Sequence, residues 1–481
     1  MNFKMIFYTI GNMLKVEALL LILPLFVSLV YKENTYLSFL IPIALLTLVG
    51  FAISFKKPKN RTMYAREGLV IVGLSWILIS LFGALPFVIS KEIPNFINAF
   101  FETVSGFTTT GASILEDVEV LTKGMLFWRS FTHWVGGMGV LVFIMAILPS
   151  SDGDTIHILR AESPGPQVGK LVSKIKVNAR ILYLIYFAMT IIEIVLLLFG
   201  KMPLFDSIVH SFGTAGTGGF GIKNSSIGGY NNYCQIVIGI FMILFGINFN
   251  IFYFLLIGNF RQALKSEELK WYLSIIFVAI ALITLNIMIS DTTKVLSTTL
   301  KDSFFQVASI ITTTGFSTTD FNAWPELSRS ILIVLMFFGA CAGSTGGGIK
   351  ISRIAILFKA SGREVKKLIH PHSIQNIRFE GTSVKEDTVK GVFAYFSIFI
   401  IIFVLAVLLV SLDGKDFVTN FSSVAACINN IGPGLGLVGP MGNYASFSYF
   451  SKIILILTML VGRLEIFPIL ILFIPNMWKN K

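Results

Sequence analysis

Charge is the scarcest commodity in this chain. Asp, Glu, Lys and Arg make up 13% of its 481 residues, against about 25% in a typical soluble domain. A soluble globule is excluded on that ground. Acidic residues are the rarer sign, 26 against 38 basic. No stretch gathers carboxylates, His and Cys as an active site needs, so an enzyme is not expected. The three cysteines, Cys234, Cys341 and Cys427, lack metal-ligand spacing, and neither a disulfide nor a metal centre is expected. The formal net charge of +12 raises nucleic acid as a partner, but the placement of the charge argues otherwise. Most Lys and Arg lie at the termini or in Lys56–Arg66, Arg160–Arg180, Arg261–Lys270 and Lys350–Lys390. Putting these on the cytoplasmic face satisfies the positive-inside rule and makes both termini cytoplasmic. No nucleic-acid partner is needed.

What abounds is apolar. The chain is 54% hydrophobic with 45 Phe, and many of its runs approach the ~20 residues that cross a bilayer as a helix. It reads as an all-α polytopic membrane protein. The first apolar run, Met5–Val30, has no small-residue cleavage site behind it and reads as a retained helix rather than a signal peptide. With Leu37–Phe55 it forms an N-terminal two-helix hairpin over 1–58, with Pro24 and Pro42 as candidate kinks. Four pore units are expected to follow, over 59–150, 151–262, 263–360 and 361–481, pseudo-four-fold about a central pore. Each reads as a span, a short outside half-helix, a filter stretch and a second span. The paired spans are Gly68–Ser90 and Gly124–Pro149, Ala179–Phe199 and Tyr233–Gly258, Trp271–Ile289 and Arg329–Phe358, and Val389–Leu412 and Tyr449–Trp478. Ser150–Asn178, with its two prolines in Arg160–Pro166, reads as a cytoplasmic loop. Ser361–Lys390, with Lys366, Lys367, His370 and His372, reads as a second one, either a partner-binding surface or a solvated linker.

The organising feature is one short stretch written four times: Thr108–Ser113, Gly216–Gly221, Thr312–Ser317 and Asn429–Gly434. At one common distance ahead of Gly111, Gly219, Gly315 and Gly432 stand Asn98, Asp206, Asp302 and Thr419, all of N-cap type. Each stretch is thus expected to follow a capped helix too short to span, a re-entrant half-helix. Thr109, Thr110 and Gly111, Thr217, Gly218 and Gly219, Thr313, Thr314 and Gly315, and Asn430, Ile431 and Gly432 are the candidate selectivity filter. A ring of backbone carbonyls replaces a cation's water without the trap of a full charge. Glycine lets those carbonyls turn inward, and four helix C-termini favour a cation below. Gly218 and Ile431 stand where two copies have Thr, and Asn429 and Asn430 replace Thr in the fourth. The ring should be less symmetric than a homotetramer's, with fewer well-formed ion sites.

Gly339–Lys350 holds five glycines in twelve residues, and each costs roughly 1 kcal/mol in a helix. The helix should break there. Gly343, Ser344, Thr345, Gly346, Gly347, Gly348 and Lys350 form either a gate loop beneath the filter or a passive hinge. A phosphate loop is rejected: the Gly-Lys-Ser/Thr ending and a preceding strand are missing. Arg463, within the last span, is either a pore charge barrier or half of a packing ion pair with Glu465. Glu102 and His210 take matching places in the first turns of two half-helices and either tune the outer mouth or bond locally. His133, in the glycine-rich Trp128–Gly139 segment, reads as structural.

At these residues the chain resembles the Trk/Ktr/HKT potassium transporter superfamily, most closely its bacterial TrkH/TrkG membrane-subunit branch. The resemblance rests on Thr108–Ser113, Trp128–Gly139, Arg160–Pro166, Gly216–Gly221, Thr312–Thr318, Gly343–Lys350 and Gly462–Phe467, and covers nearly the whole chain. It implies potassium uptake across the bacterial plasma (inner) membrane through a gated, channel-like pore. Potassium would be held by filter carbonyls at Gly111, Gly219, Gly315 and Gly432, with the glycine-rich loop gating from below and Arg463 facing the pore. It implies a homodimer and a separate cytosolic, TrkA-like regulatory subunit that carries the NAD or ATP; no cofactor is expected in this chain. The alternatives it leaves are a sodium- or proton-coupled potassium symporter and a sodium-permeable relative. A secondary transporter with a midplane solute site is the competing class, but its usual two-fold inverted repeats do not match four parallel units.

Overall fold

The computed structural model describes residues 1–59, 63–139, 175–371 and 375–478. Arg160–Pro166, His372 and the far half of the span expected to reach Pro149 lie outside these residues. The chain opens with α1 (Phe3–Leu20), α2 (Ile22–Val30) and α3 (Tyr36–Ser54). The Asn2 side chain accepts from the Met5 amide and caps α1. The break at Leu21 puts Pro24 in the first turn of α2, where proline costs no hydrogen bond. Pro42 sits inside an unbroken α3. α1 and α3 meet through glycine: a methyl at Gly11 would lie 2.9 Å from the Gly50 carbonyl oxygen, and one at Gly50 2.9 Å from that of Gly11. Small residues let the two backbones approach this closely.

Helices α4 (Ala65–Gly83), α5 (Leu85–Ile89), α6 (Phe96–Phe107) and α7 (Lys123–Gly137) follow. After residue 174 come α8 (Ile175–Phe199), α9 (Leu204–Gly216), α10 (Asn232–Phe245), α11 (Phe249–Leu256) and α12 (Phe260–Lys265). Then come α13 (Glu267–Ser290), α14 (Leu296–Ile311), α15 (Glu326–Phe338) and α16 (Ile351–Ile369). The chain closes with α17 (Glu386–Val410), α18 (Phe417–Ile428), α19 (Tyr449–Arg463), α20 (Phe467–Leu472) and α21 (Pro475–Trp478). Among the described residues six helical segments are long and apolar enough to cross a membrane, or seven if α10 and α11, bent by 94°, count as one. The chain is a membrane-embedded, multi-pass helical protein.

Several sequence expectations need correction. A break was expected in the second span of the third unit, and among the described residues the second spans of the second and fourth units are interrupted too. α10 gives way to α11 around Gly246, and α19 to α20 at Glu465 and Ile466, both with positive φ. α7 ends at Gly137. The expected caps are displaced: Asn95 and Asp416 cap α6 and α18, accepting from the amides of Asn98 and Thr419. Asn98 and Thr419 therefore lie one turn inside. Asp206 sits in the first turn of α9, where its charge suits the helix dipole, and α14 starts early enough to enclose Asp302.

Much of the expected Ser361–Lys390 linker is ordered. α16 runs to Ile369, and β1 (Arg378–Phe379) pairs antiparallel with β2 (Thr382–Ser383). Glu380 and Gly381 between them both have positive φ, 52° and 73°, the type I′ turn that matches strand twist. Phe379 and Ile377 pack with Ala355, Ile356, Ala360, Val389 and Val392, which seats the hairpin on α16 and α17.

Gly50→Ile should wedge the opening hairpin apart and cost about 1–3 kcal/mol, the usual penalty of overpacking. Thermal unfolding of the detergent-solubilised protein would register this as a lower midpoint. An unchanged midpoint would mean that the Gly11–Gly50 contact is not tight.

Candidate functional site

α6, α9, α14 and α18 end alike. The residue after the last turn takes a left-handed backbone: Thr109 (φ 54°), Thr217 (53°), Thr313 (59°) and Asn430 (55°). The next amide reaches back to the helix in every copy. Thr110 bonds Ser105, Gly218 bonds Gly213, Thr314 bonds Ser309 and Ile431 bonds Ala426, at 2.8 to 2.9 Å. This is the Schellman C-cap, whose left-handed residue is ordinarily glycine. A β-branched threonine there is an outlier and costs of order 1–3 kcal/mol. Gly111, Gly219, Gly315 and Gly432 follow two residues on, with φ of 77°, 72°, 86° and 92°.

The four stretches close into a ring. A methyl at Gly111 would lie 2.0 Å from the Gly218 carbonyl oxygen, one at Gly219 1.9 Å from that of Thr314, and one at Gly315 2.0 Å from that of Ile431. One at Gly432 would lie 2.7 Å from the Thr110 oxygen, back at the first stretch. Each glycine thus abuts the peptide just before the next glycine, in cyclic order. All four line a cavity of about 130 Å³ that Ser113, Phe220 and Tyr444 also line.

The outer rim is braced by side chains that the sequence did not connect. Glu102 is buried in the second turn of α6, not the first, and pairs with Arg129 of α7 at 2.6 Å. It also accepts from Ser113 Oγ and the Ile114 amide. Arg129 donates to the Gly221 carbonyl at 2.8 Å and lies 3.5 Å over the Phe220 ring. One buried ion pair thereby ties the first stretch to the second. His210, at the matching place in α9, hydrogen-bonds Tyr230, which donates to Asp206. Tyr444 donates to the Gly432 carbonyl at 2.7 Å, committing that oxygen in the fourth copy. Beyond the rim, a hydrogen bond from Asn224 holds the exposed Asp117 carboxyl below the usual carboxylate range.

On the opposite side of the ring lies the Gly339–Lys350 loop. The Gly347 amide donates to Thr313 Oγ1 at 2.6 Å and the Gly348 amide to the Asn429 carbonyl at 3.1 Å. A methyl at Gly346 would lie 2.9 Å from the Thr312 carbonyl, and one at Gly347 2.4 Å from that of Asn429. Glycine is what lets the loop press this closely. Lys350, itself at φ 79°, is buried and turns its ammonium back onto the Gly346 carbonyl. Arg463 donates to Thr345 O at 2.8 Å and to Gly136 O and Gly137 O at 2.5 and 2.7 Å, bridging the loop to the end of α7. Its expected alternative partner, Glu465, pairs instead with Arg353 of α16 at 2.5 Å.

His133 carries more than the sequence suggested. Its Nδ1 lies 2.9 Å from the Gly106 carbonyl, at the end of α6. A methyl at Gly218 would lie 2.1 Å from that same nitrogen. The imidazole fills the place that a threonine side chain would take, which explains why the second copy has glycine there. The clue was available only as a coincidence between two departures, an isolated intramembrane His and a missing Thr.

The geometry can be set beside known proteins. The model of the TrkH family, described as cation transport protein, matches residues 35–480. The Trk system potassium uptake protein TrkH of Salmonella typhimurium is 36% identical, with 100% of both chains covered. The Trk system potassium uptake protein TrkG of Escherichia coli is 33% identical over 99% of each. The crystal structure of the potassium transporter TrkH from Vibrio parahaemolyticus superposes with a TM-score of 0.89 at 32% identity, covering 100% of both chains.

Gly218→Thr, which would make the second stretch read like the first and third, should destabilise the protein by about 1–3 kcal/mol through overpacking. His133→Ala in the same chain should recover part of the loss. Thermal unfolding of the single and double variants checks this, and additive losses would show that the two side chains do not compete for one space.

Proposed function

The chain belongs to the TrkH family of cation transport proteins, and from that premise we propose that it is the membrane subunit of a potassium-uptake system. The ion passes through a filter made by Thr109–Gly111, Thr217–Gly219, Thr313–Gly315 and Asn430–Gly432. The observation that carries this reading is the closed cyclic contact of the four glycines. Such a ring brings carbonyl dipoles from four sides to one point, which can replace a hydration shell and still release the ion. Four helix C-termini end at the ring, each worth roughly half a negative charge, so a cation is favoured without a carboxylate to trap it. The four units, each a first helix, a half-helix, a filter stretch and a second helix, stand pseudo-symmetrically about this pathway behind the opening hairpin.

Beneath the filter the Gly343–Lys350 loop acts as the gate. It hangs on Thr313, within the third filter stretch, and on Asn429, one residue ahead of the fourth, so its displacement and the filter's shape are linked. Arg463 is the charge barrier below. Its guanidinium donates to the carbonyls of Thr345, Gly136 and Gly137 on the loop side of the ring, where a positive charge would repel a passing cation. The chain is a transporter rather than an enzyme. It works as a homodimer in the bacterial inner membrane with both termini cytoplasmic, and a nucleotide-binding, TrkA-like subunit docks on the inner face.

Expression in a bacterium lacking potassium uptake should restore growth at low potassium, and liposomes should pass potassium and rubidium well ahead of sodium. Equal sodium and potassium flux would sink the selectivity. Gly315→Ser strains a φ of 86° and meets the Ile431 carbonyl. It should lower the potassium-to-sodium flux ratio by roughly tenfold, the equivalent of about 1.4 kcal/mol; an unaltered ratio in folded protein would remove Gly315 from the filter. Arg463→Ala should speed rubidium influx, and an unchanged rate would leave Arg463 as a packing bridge only.

A further inference from the structure

Two helices near the gate loop each have a first-turn amide taken up by a glutamate from elsewhere. α16 starts directly after the loop, and its N-cap residue, Lys350, offers no side-chain acceptor. Glu268, in the first turn of α13, supplies one: its Oε1 accepts from the Ser352 amide at 3.2 Å and from the Ala342 amide at 2.7 Å. Ala342 lies at the near end of the loop and Ser352 just past its far end. One buried carboxylate, 5% exposed, therefore pinches both ends of the loop. Glu268 is itself held by the backbone. Its amide donates to Glu380 Oε1 at 2.8 Å, and Ser266 Oγ, which caps α13, donates to the same oxygen at 2.8 Å. Glu380 is the first residue of the I′ turn between β1 and β2, and no atom lies within 4 Å of a methyl placed on its neighbour Gly381. The turn is open outward while its glutamate points inward. A second fastening runs alongside: Lys359 of α16 pairs with Glu267 and donates to the Arg378 carbonyl.

We propose that Glu380 and Glu268 are positioning residues in series, through which the β1–β2 hairpin holds the Gly339–Lys350 loop in place under the filter, so that moving the hairpin frees the loop. The proposal rests on reading the loop as a gate only for its effect on flux; the mechanical link stands on the hydrogen bonds alone. Uncapped amides at a helix start carry partial positive charge, so each carboxylate is bound by bonds stronger than neutral ones. Removing Glu380 leaves Ser266 and the Glu268 amide without their shared acceptor. The first turn of α13 then loses the fixed position from which Glu268 reaches the loop. The hairpin touches the loop nowhere in this chain of contacts, so the effect is transmitted rather than direct.

The chain supplies its own reporter. Cys341 lies in the loop and is buried, while Cys234 of α10 and Cys427 of α18 are buried elsewhere. Full-length protein in liposomes is pulsed with a small thiol-alkylating reagent, and labelling of each cysteine is read by peptide mass spectrometry beside rubidium influx. Glu380→Ala should raise Cys341 labelling about tenfold, the loss expected for hydrogen bonds to a charged group, with Cys234 and Cys427 unchanged. Glu380→Gln keeps the acceptor and should restore the slow labelling. Glu268→Ala should raise labelling too, and adding Glu380→Ala to it should give little more. If Glu380→Ala does not fold, Ser266→Ala, which removes one of the two bonds, should give a smaller rise at Cys341 alone. Unchanged Cys341 labelling in folded protein, or an equal rise at all three cysteines, overturns the proposal. A selective rise at Cys341 without faster rubidium influx upholds the link and defeats the gate reading instead.

Discussion

Everything at the centre of this molecule depends on how four short helices stop. Each ends with a residue forced into the left-handed region, and that single torsion turns the chain out of the helix and into its neighbour's path. Glycine would do this at no steric cost, yet three copies use threonine and one asparagine. The strain, of order 1–3 kcal/mol per copy, is borne by the back-reaching amide bond and by contacts made only when all four stretches are present. Thr313 shows what the side chain gains in exchange: its hydroxyl takes the Gly347 amide of the loop below. Asn430 gives its amide group to Thr110 Oγ1 at 2.9 Å and to the Met459 carbonyl at 3.0 Å, tying the fourth stretch to the first and to α19.

The quarters share a backbone plan and differ in their scaffolding. The first and second are clasped outside by Glu102 and Arg129, a pair whose disruption would leave a charge buried and unpaired. The second is filled from beneath by His133. The fourth is steadied by Tyr444 at its own glycine. The departures from the Thr-Thr-Thr-Gly pattern are therefore matched by local partners, and the asymmetry expected from the sequence has a physical form in which the first and second quarters share one clasp and the second and fourth have props of their own.

The sequence exposed the periodic features and hid the pairwise ones. Four glycines in one register, short helices ahead of them and the glycine-dense loop after α15 all leave marks on a linear string. The caps did not, because Asn95 and Asn98 are both of cap type and stand one turn apart; only the helix start decides between them. The break after Arg463 was equally hidden. It uses Glu465 and Ile466 rather than glycine, and depends on Arg353, more than a hundred residues away, to hold Glu465. The order within 361–390 was missed because β1 and β2 are two residues each and acquire their stability from Phe379 packing on α16 rather than from β-propensity. His133 was legible as a residue and illegible as a neighbour of Gly218.

The cyclic order of the glycine contacts has an evolutionary side. In a ring of four identical subunits, one codon change alters four places at once, and every copy must tolerate it together. Here the ring is written into one polypeptide, and each glycine presses on a single successor. A change in one quarter has to be accommodated by one neighbour and one local prop. Such a ring can be rewritten a quarter at a time, and the divergent Asn430–Ile431 pair, with its private bonds to Thr110 and Met459, has the form that such a history would leave.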